Sequence, residues 1–398
     1  MAAVISMTDA DDLAAWLRLS LTPGIGNQRA RQLLKALGLP QTIFDSSKSA
    51  LCAVLSEGLA DALLESPPGL EDLLRTTCDW LDADPQHRRV LTLGDPAYPR
   101  CLLELDDPPL MLYAMGQSLA WEIGADGRTG LDLAQAAGLA IVGSRNPTPQ
   151  GAGNAHDFAL ALAQAGLTVV SGMALGIDAA AHRGALEAHG LGEDAIATVA
   201  VVGTGLDRVY PRQHRALAHQ IARRGVILGE YHLGTPPLAA HFPQRNRLIA
   251  GLSRGTLVVE AALQSGSLIT ARMALEQGRD VFAIPGSVHS TQSKGCHALI
   301  KQGAKLVESA RDVLEELQFA HAAAPTVAAT STPAEPEIPD SEAGALLKAL
   351  GFDPIGLDAL QARSGLATPD LQAQLMGLEL QGLVARLPGG LFQRIARA

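Results

Sequence analysis

HFPQRNRLIAGLSRGTLVVEAALQSGSLITARMALEQGRDVFAIPG, residues 241–286, followed by SVHSTQSKGCHALIKQGAK, residues 287–305, decides the fold. Its apolar β-branched run at 256–259 reads as a buried strand, 267–277 as a helix closed by Gly278, and 281–284 as a second strand. Between strand and helix stands Ser265-Gly266-Ser267, a small polar loop where exposed N–H groups and the helix dipole favour phosphate. The stretch holds eight Lys or Arg against three Asp or Glu, inside a chain of formal net charge −10. A local reversal of that kind points to an anion-binding face.

Outward from this stretch the alternation continues. Strand-like runs recur at 140–142, 167–170, 196–202 and 226–228, each followed by a helical pattern, and Thr148 with Pro149 marks a capped helix start. The pattern predicts a parallel, doubly wound sheet covered on both faces. Two further strands at 90–93 and 110–114 are expected as edge additions. In an open parallel sheet the carboxyl ends of the strands share one side. Gly143-Ser144-Arg145, Ser171-Gly172, Gly203-Thr204-Gly205 and Ser265-Gly266-Ser267 therefore converge on one crevice suited to a polyanion or nucleotide, with Arg145 adding a guanidinium fork.

At 398 residues, two or three domains are expected. A 47% hydrophobic content supports a sizeable core. The four cysteines share no metal-ligand spacing and fit free thiols in a reducing compartment. No basic segment followed by an apolar one opens the chain, and no apolar run is long enough to span a bilayer, so a cytoplasmic protein with no membrane partner is expected. No P-loop and no GxGxxG occurs, which leaves ATP hydrolysis and dinucleotide redox chemistry unsupported, and no cofactor or metal is expected. Asp178 and His182 are too few for a metal site; Asp178 is expected to cap a helix and His182 to satisfy a local hydrogen bond. Glu230 and Glu260 end strands at the crevice, where an orienting role fits better than general-base work because no nucleophile is evident.

Residues 10–82 read as a helical module. Its Pro23-Gly24-Ile25-Gly26 turn, followed by Arg29, Arg31 and Lys35, resembles the hairpin of a helix-hairpin-helix unit, but the segment is acidic as a whole and PGIG alone is a weak match, so a tight helix–helix turn beside a solvated basic face is the favoured reading. Residues 85–318 form the α/β domain. Residues 320–342 are rich in proline and alanine without apolar periodicity, and are expected to be a disordered linker. Residues 343–398, three helical patterns and a hairpin around Pro388-Gly389-Gly390, have the order of a winged helix.

AIVGSR (140–145), SGMALGIDAAAH (171–182), VVGTGLDRVYP (201–211), FPQRNRLIAGLS (242–253), VVEAALQSGSLITARMALEQGRDVFAIPG (258–286) and GCHALIKQGA (295–304) together resemble the DNA-processing protein A (DprA/Smf) family. The resemblance implies an extended Rossmann-like parallel-sheet domain with an N-terminal helical module of SAM or helix-hairpin-helix type and a C-terminal winged helix. It implies a non-enzymatic mediator that binds and protects single-stranded DNA and loads RecA recombinase during natural transformation, with a single-stranded-DNA-binding protein as a further partner. By motif, Ser144, Arg145, Ser171, Gly172, Gly205, Arg212, Phe242, Arg245, Asn246 and Arg247 become the DNA pocket, with Phe242 placed to stack on a base. The resemblance also implies a symmetric dimer through His297, Ile300 and Leu306. The chain departs from the family at Leu175 and Ala239, where basic residues are common. It departs again in the third tail helix, which carries Asp370 and Glu379 and no cation. The rival readings are a nucleoside-phosphate-cleaving enzyme using Glu260, disfavoured by SGS in place of a GGxGT loop, and a duplex-binding regulator acting through the winged helix.

Overall fold

The computed structural model describes residues 7–124, 126–133, 137–188, 195–319, 342–352, 354–387 and 389–395. Its centre is a nine-stranded sheet: β1 (Arg88–Thr92), β2 (Met111–Gly116), β3 (Gly138–Val142), β4 (Thr168–Ser171), β5 (Thr198–Val202), β6 (Val226–Gly229), β7 (Gly255–Val258), β8 (Asp280–Ala283) and β9 (Lys305–Leu306). The strands lie in the order β1-β2-β6-β5-β4-β3-β7-β8-β9. Those from β6 to β9 along this order are parallel, whereas β1–β2 and β2–β6 are antiparallel. The expected edge strands are thus present, and the sheet is mixed rather than wholly parallel. For the β1–β2 pair the physical reason is that only a short 3-10 turn, Arg100–Glu104, stands between them, too little for the crossover a parallel pair needs.

Alternation along the strands explains why both faces are covered. Leu139 and Ile141 of β3 pack with Phe158 and Leu162 of helix Pro149–Gln164 on one face. Ala140 and Val142 pack on the other with Leu248 and Ile249 of helix His241–Gly251. The chain runs outward from β3 to β6 and then returns to place β7 on β3's other side. That reversal between β3 and β7 is the switch point at which open α/β sheets bind ligands.

Among the described residues six helices, from Met7–Leu21 to Leu70–Asp82, precede β1 and gather around Trp16, Leu33 and Leu63. Leu110 and Met111 of the sheet's edge join that cluster. Arg31 ties the two parts together through Asp107 Oδ1 at 2.8 Å and the Asp106 carbonyl at 2.7 Å, while Arg29 bonds the Gly24 carbonyl at 2.7 Å. Two of the three cations after the PGIG turn are therefore engaged within the protein.

Beyond Phe319, residues 320–341, most of the expected linker, lie outside the described residues. Helices Glu342–Leu350, Leu357–Ser364 and Thr368–Leu380 are followed by β11 (Val384–Leu387) and β12 (Leu391–Arg394). A strand the sequence did not signal, β10 (Ile355–Gly356), completes a small sheet in the order β10-β12-β11, which is the winged-helix arrangement. Among the described residues no helix is long and apolar enough to cross a membrane.

Candidate nucleic-acid interface

At the carboxyl ends of β3 and β7 a crevice of about 680 Å³ opens between the loop after each strand and the start of helix His241–Gly251. Its lining brings together Ser144, Arg145, Phe242, Arg245, Asn246, Ser265, Gly266 and Ser267. The first loop is held in place by Glu260. Ser144 N–H donates to the Glu260 carbonyl at 2.7 Å, and Thr148 donates to the carboxylate through N–H at 2.9 Å and hydroxyl at 2.6 Å. Thr148 Oγ1 in turn accepts from Gly151 N–H at 3.0 Å and so caps the next helix. A Cβ at Gly151 would stand 2.3 Å from the Glu260 carboxyl carbon, so only glycine admits the clamp. Burial pushes the Glu260 carboxyl up, and the two Thr148 donors draw it down. Both carboxylate oxygens are occupied, which is the orienting role the sequence predicts.

The clamp leaves Arg145 exposed at the loop tip, with no hydrogen bond or ion pair among the described residues. Its guanidinium carbon lies 5.6 Å from the centre of the Phe242 ring, and Phe242 packs on Tyr210 with ring centres 5.6 Å apart. Cation and paired aromatics form one strip along the crevice. Tyr210 was not singled out in the sequence; its position just after the GTGLD loop, beside Pro211, was the available signal. On the opposite wall Ser265 and Ser267 hydroxyls bond each other at 2.7 Å, at the start of helix Ser267–Glu276. Asn246 Nδ2 reaches the Gly266 carbonyl at 3.5 Å, joining the two walls.

Other expected pocket residues serve the scaffold. Ser171 is wholly buried and donates to the Ile141 carbonyl at 2.7 Å. Gly172 N–H donates to Asp178 Oδ2 at 3.1 Å, and Ala174 N–H does so at 3.3 Å. Asp178 thus gathers amides of the preceding loop rather than capping its own helix, whose cap is Gly176. Arg245 borders the crevice but is 4% exposed, and its guanidinium donates to the Gly172 carbonyl at 2.8 Å and to the Val201 carbonyl. Desolvation lowers its pKa to about 10, so it stays charged at neutral pH. Arg247 makes a two-pronged pair with Glu230, at 3.1 and 2.5 Å, outside the crevice. Gly205 N–H donates to the Thr235 carbonyl at 3.2 Å, and Arg212 lies in a neighbouring groove. His182 Nδ1 bonds Thr198 Oγ1 of β5 at 2.7 Å, a contact between elements where a local bond was expected. Of the two family departures, Ala239 lines the crevice and Leu175 does not.

The residues expected at a dimer interface cluster at the sheet's far edge. His297 and Ile300 are half-buried on helix Lys294–Lys301, and Leu306 is 43% exposed on edge strand β9. His297 Nε2 stands 3.0 Å from the Gly286 carbonyl.

Comparison with known proteins agrees with this architecture. Residues 89–318 match the model of DNA recombination-mediator protein A, and residues 329–390 match that of the DprA winged helix domain. Protein Smf of Synechocystis is 35% identical over 96% of this chain and 98% of its own. Protein Smf of Escherichia coli is 40% identical over 80% of each. The X-ray structure of DNA processing protein A from Streptococcus pneumoniae superposes with a TM-score of 0.58 at 36% identity, covering 78% of this chain and 99% of that one. The chain belongs to the DNA recombination-mediator protein A (DprA/Smf) family.

Proposed function

We propose that this protein is a single-stranded-DNA-binding recombination mediator, which shelters a strand in the switch-point crevice and passes it to RecA in the cytoplasm during natural transformation. The observation that carries this reading is the Arg145–Phe242–Tyr210 strip. An unpartnered guanidinium meets a phosphate, and aromatic faces stack bases without regard to sequence, at about 1–3 kcal/mol per base. Bases that stack this way must be unpaired, which favours a single strand over a duplex. The protein acts by binding rather than catalysis: the oxygens of Glu260 are held by Thr148, and buried Asp178 is held by two amides. A homodimer through Ile300 and Leu306 would present two crevices to one RecA filament, with a single-stranded-DNA-binding protein as a further partner.

The test is a salt-titrated comparison of single-stranded and duplex DNA on the full chain. Preference for the single strand supports the reading; equal or tighter duplex binding removes it.

A further inference from the structure

Next to the crevice lies a second groove, about 1380 Å³, along helix Arg215–Arg224. Arg215, His219 and Arg223 are four residues apart and share one exposed helix face, spanning about 12 Å. Arg212 extends the row from the short helical turn just before. None of the three arginines has a hydrogen bond from its guanidinium or an ion pair among the described residues, whereas the adjacent Arg224 bonds the Leu186 and Ala188 carbonyls. The three acids of the groove bond other groups that line it rather than these arginines: Asp84 with His87 at 2.9 Å, Asp207 with Arg208 at 3.1 Å, and Glu122 with the Ser118 hydroxyl at 2.7 Å. Helix electrostatics account for Arg223, near a C-terminus, but not for Arg212 and Arg215, which face the positive N-terminal end. Cations left unneutralised in a place the fold itself disfavours fit an anionic ligand. Tyr210 and Pro237 line both the crevice and this groove, so the two adjoin there.

We infer that the groove is the continuation of the DNA path: a strand leaving the crevice passes Tyr210 and Arg212, the latter already a pocket residue by resemblance, and lays its phosphates along Arg215 and Arg223. This rests on the single-strand reading above. The bases are gripped in the crevice, and the groove adds sequence-independent phosphate contacts available only to a longer strand.

The experiment uses the full chain and a double variant, Arg215→Gln with Arg223→Gln, against oligothymidylates of about six and about twenty nucleotides, bracketing the usual range of single-strand site sizes. Neither residue lines the crevice, so the short strand reports on the fold of the variant. The expected result is unchanged affinity for the short strand, about tenfold loss for the long one, and a salt slope shallower by about 1.4, two contacts at about 0.7 each. Equal loss on both lengths, or none on either, overturns the inference. If long-strand affinity stays intact while binding of a polyglutamate peptide is lost, the groove belongs to an acidic protein segment instead, which also overturns it. If the unaltered chain binds neither strand, the single-strand reading itself fails.

Discussion

Alanine at position 245 removes a guanidinium that bridges the Gly172 and Val201 carbonyls and balances the buried carboxylate of Asp178. Leaving a buried carbonyl without its donor costs about 1–3 kcal/mol, so the two lost bonds amount to about 2–6 kcal/mol. For a domain of this size, about 2–4 °C of melting temperature accompanies each kcal/mol, so Arg245→Ala should melt about 4–24 °C below the parent. Alanine at position 145 removes only an exposed cation–π contact, about 0.5–1 kcal/mol. Its melting point should fall by no more than about 4 °C. Single-strand affinity should drop for every sequence, and the salt slope should flatten by about 0.7. The assay is calorimetry on both variants followed by single-strand binding at several salt concentrations. If Arg245→Ala melts with the parent and loses only DNA binding, Arg245 is a ligand and not a strut, and the assignment of roles is wrong. An Arg145→Ala variant with unaltered affinity and slope removes Arg145 from the interface.

Phe242→Ala should lower single-strand affinity with little change in salt slope, since stacking releases no counterions; a slope change as large as that of Arg145→Ala contradicts the stacking role. Ile300→Glu should give a folded monomer by sedimentation, and a variant that stays dimeric moves the interface elsewhere. A chain ending at Ala343 should keep nearly all its single-strand affinity, because helix Thr368–Leu380 bears only acidic charges and the wing arginines Arg386 and Arg394 lie over Phe392 and Phe352; a tenfold loss with a shallower salt slope would put the tail on DNA. Burial lowers His182 to about 3 and His232 to about 4, so the unfolded chain binds more protons between those values and about 6.5. Stability should be complete above about pH 6.5 and fall as pH drops toward 4, by up to about 3 kcal/mol from His232 alone; a melting temperature flat over that range would show these rings are not held neutral.

The sheet was legible because strand period and helix period alternate cleanly from β3 to β8, and the Thr148 cap and the Gly278 stop were readable from residue type. The site was legible by position and less so by role. Residues 241–305 carry eight cations, but the structure engages six of them. Arg245 and Arg254 bond carbonyls, as does Lys294; Arg247, Arg279 and Lys305 pair with Glu230, Glu104 and Glu316. The remaining two, Arg272 and Lys301, do not line the crevice. Sequence charge therefore located the right loops for a partly wrong reason. In one dimension Arg145 and Arg245 look alike. Only burial separates a donor that faces solvent from one already committed to a carbonyl. Tyr210 escaped notice for the converse reason, since an aromatic after a turn reads as core until its exposure is known.

Charge also determines what a salt titration of this protein will measure. Each phosphate contact releases counterions and makes affinity fall as salt rises. The chain as a whole carries a formal charge of −10, which repels DNA at distances beyond the contact zone. That repulsion is screened over about 8 Å at physiological ionic strength, so added salt relieves it and opposes the first effect. The observed slope is the difference between the two, and it should be shallower than the number of arginine contacts implies. Stacking on Phe242 and Tyr210 is indifferent to both effects. On an acidic protein the aromatic strip therefore keeps its contribution as salt rises, while the arginine contacts at its edge and in the adjoining groove weaken.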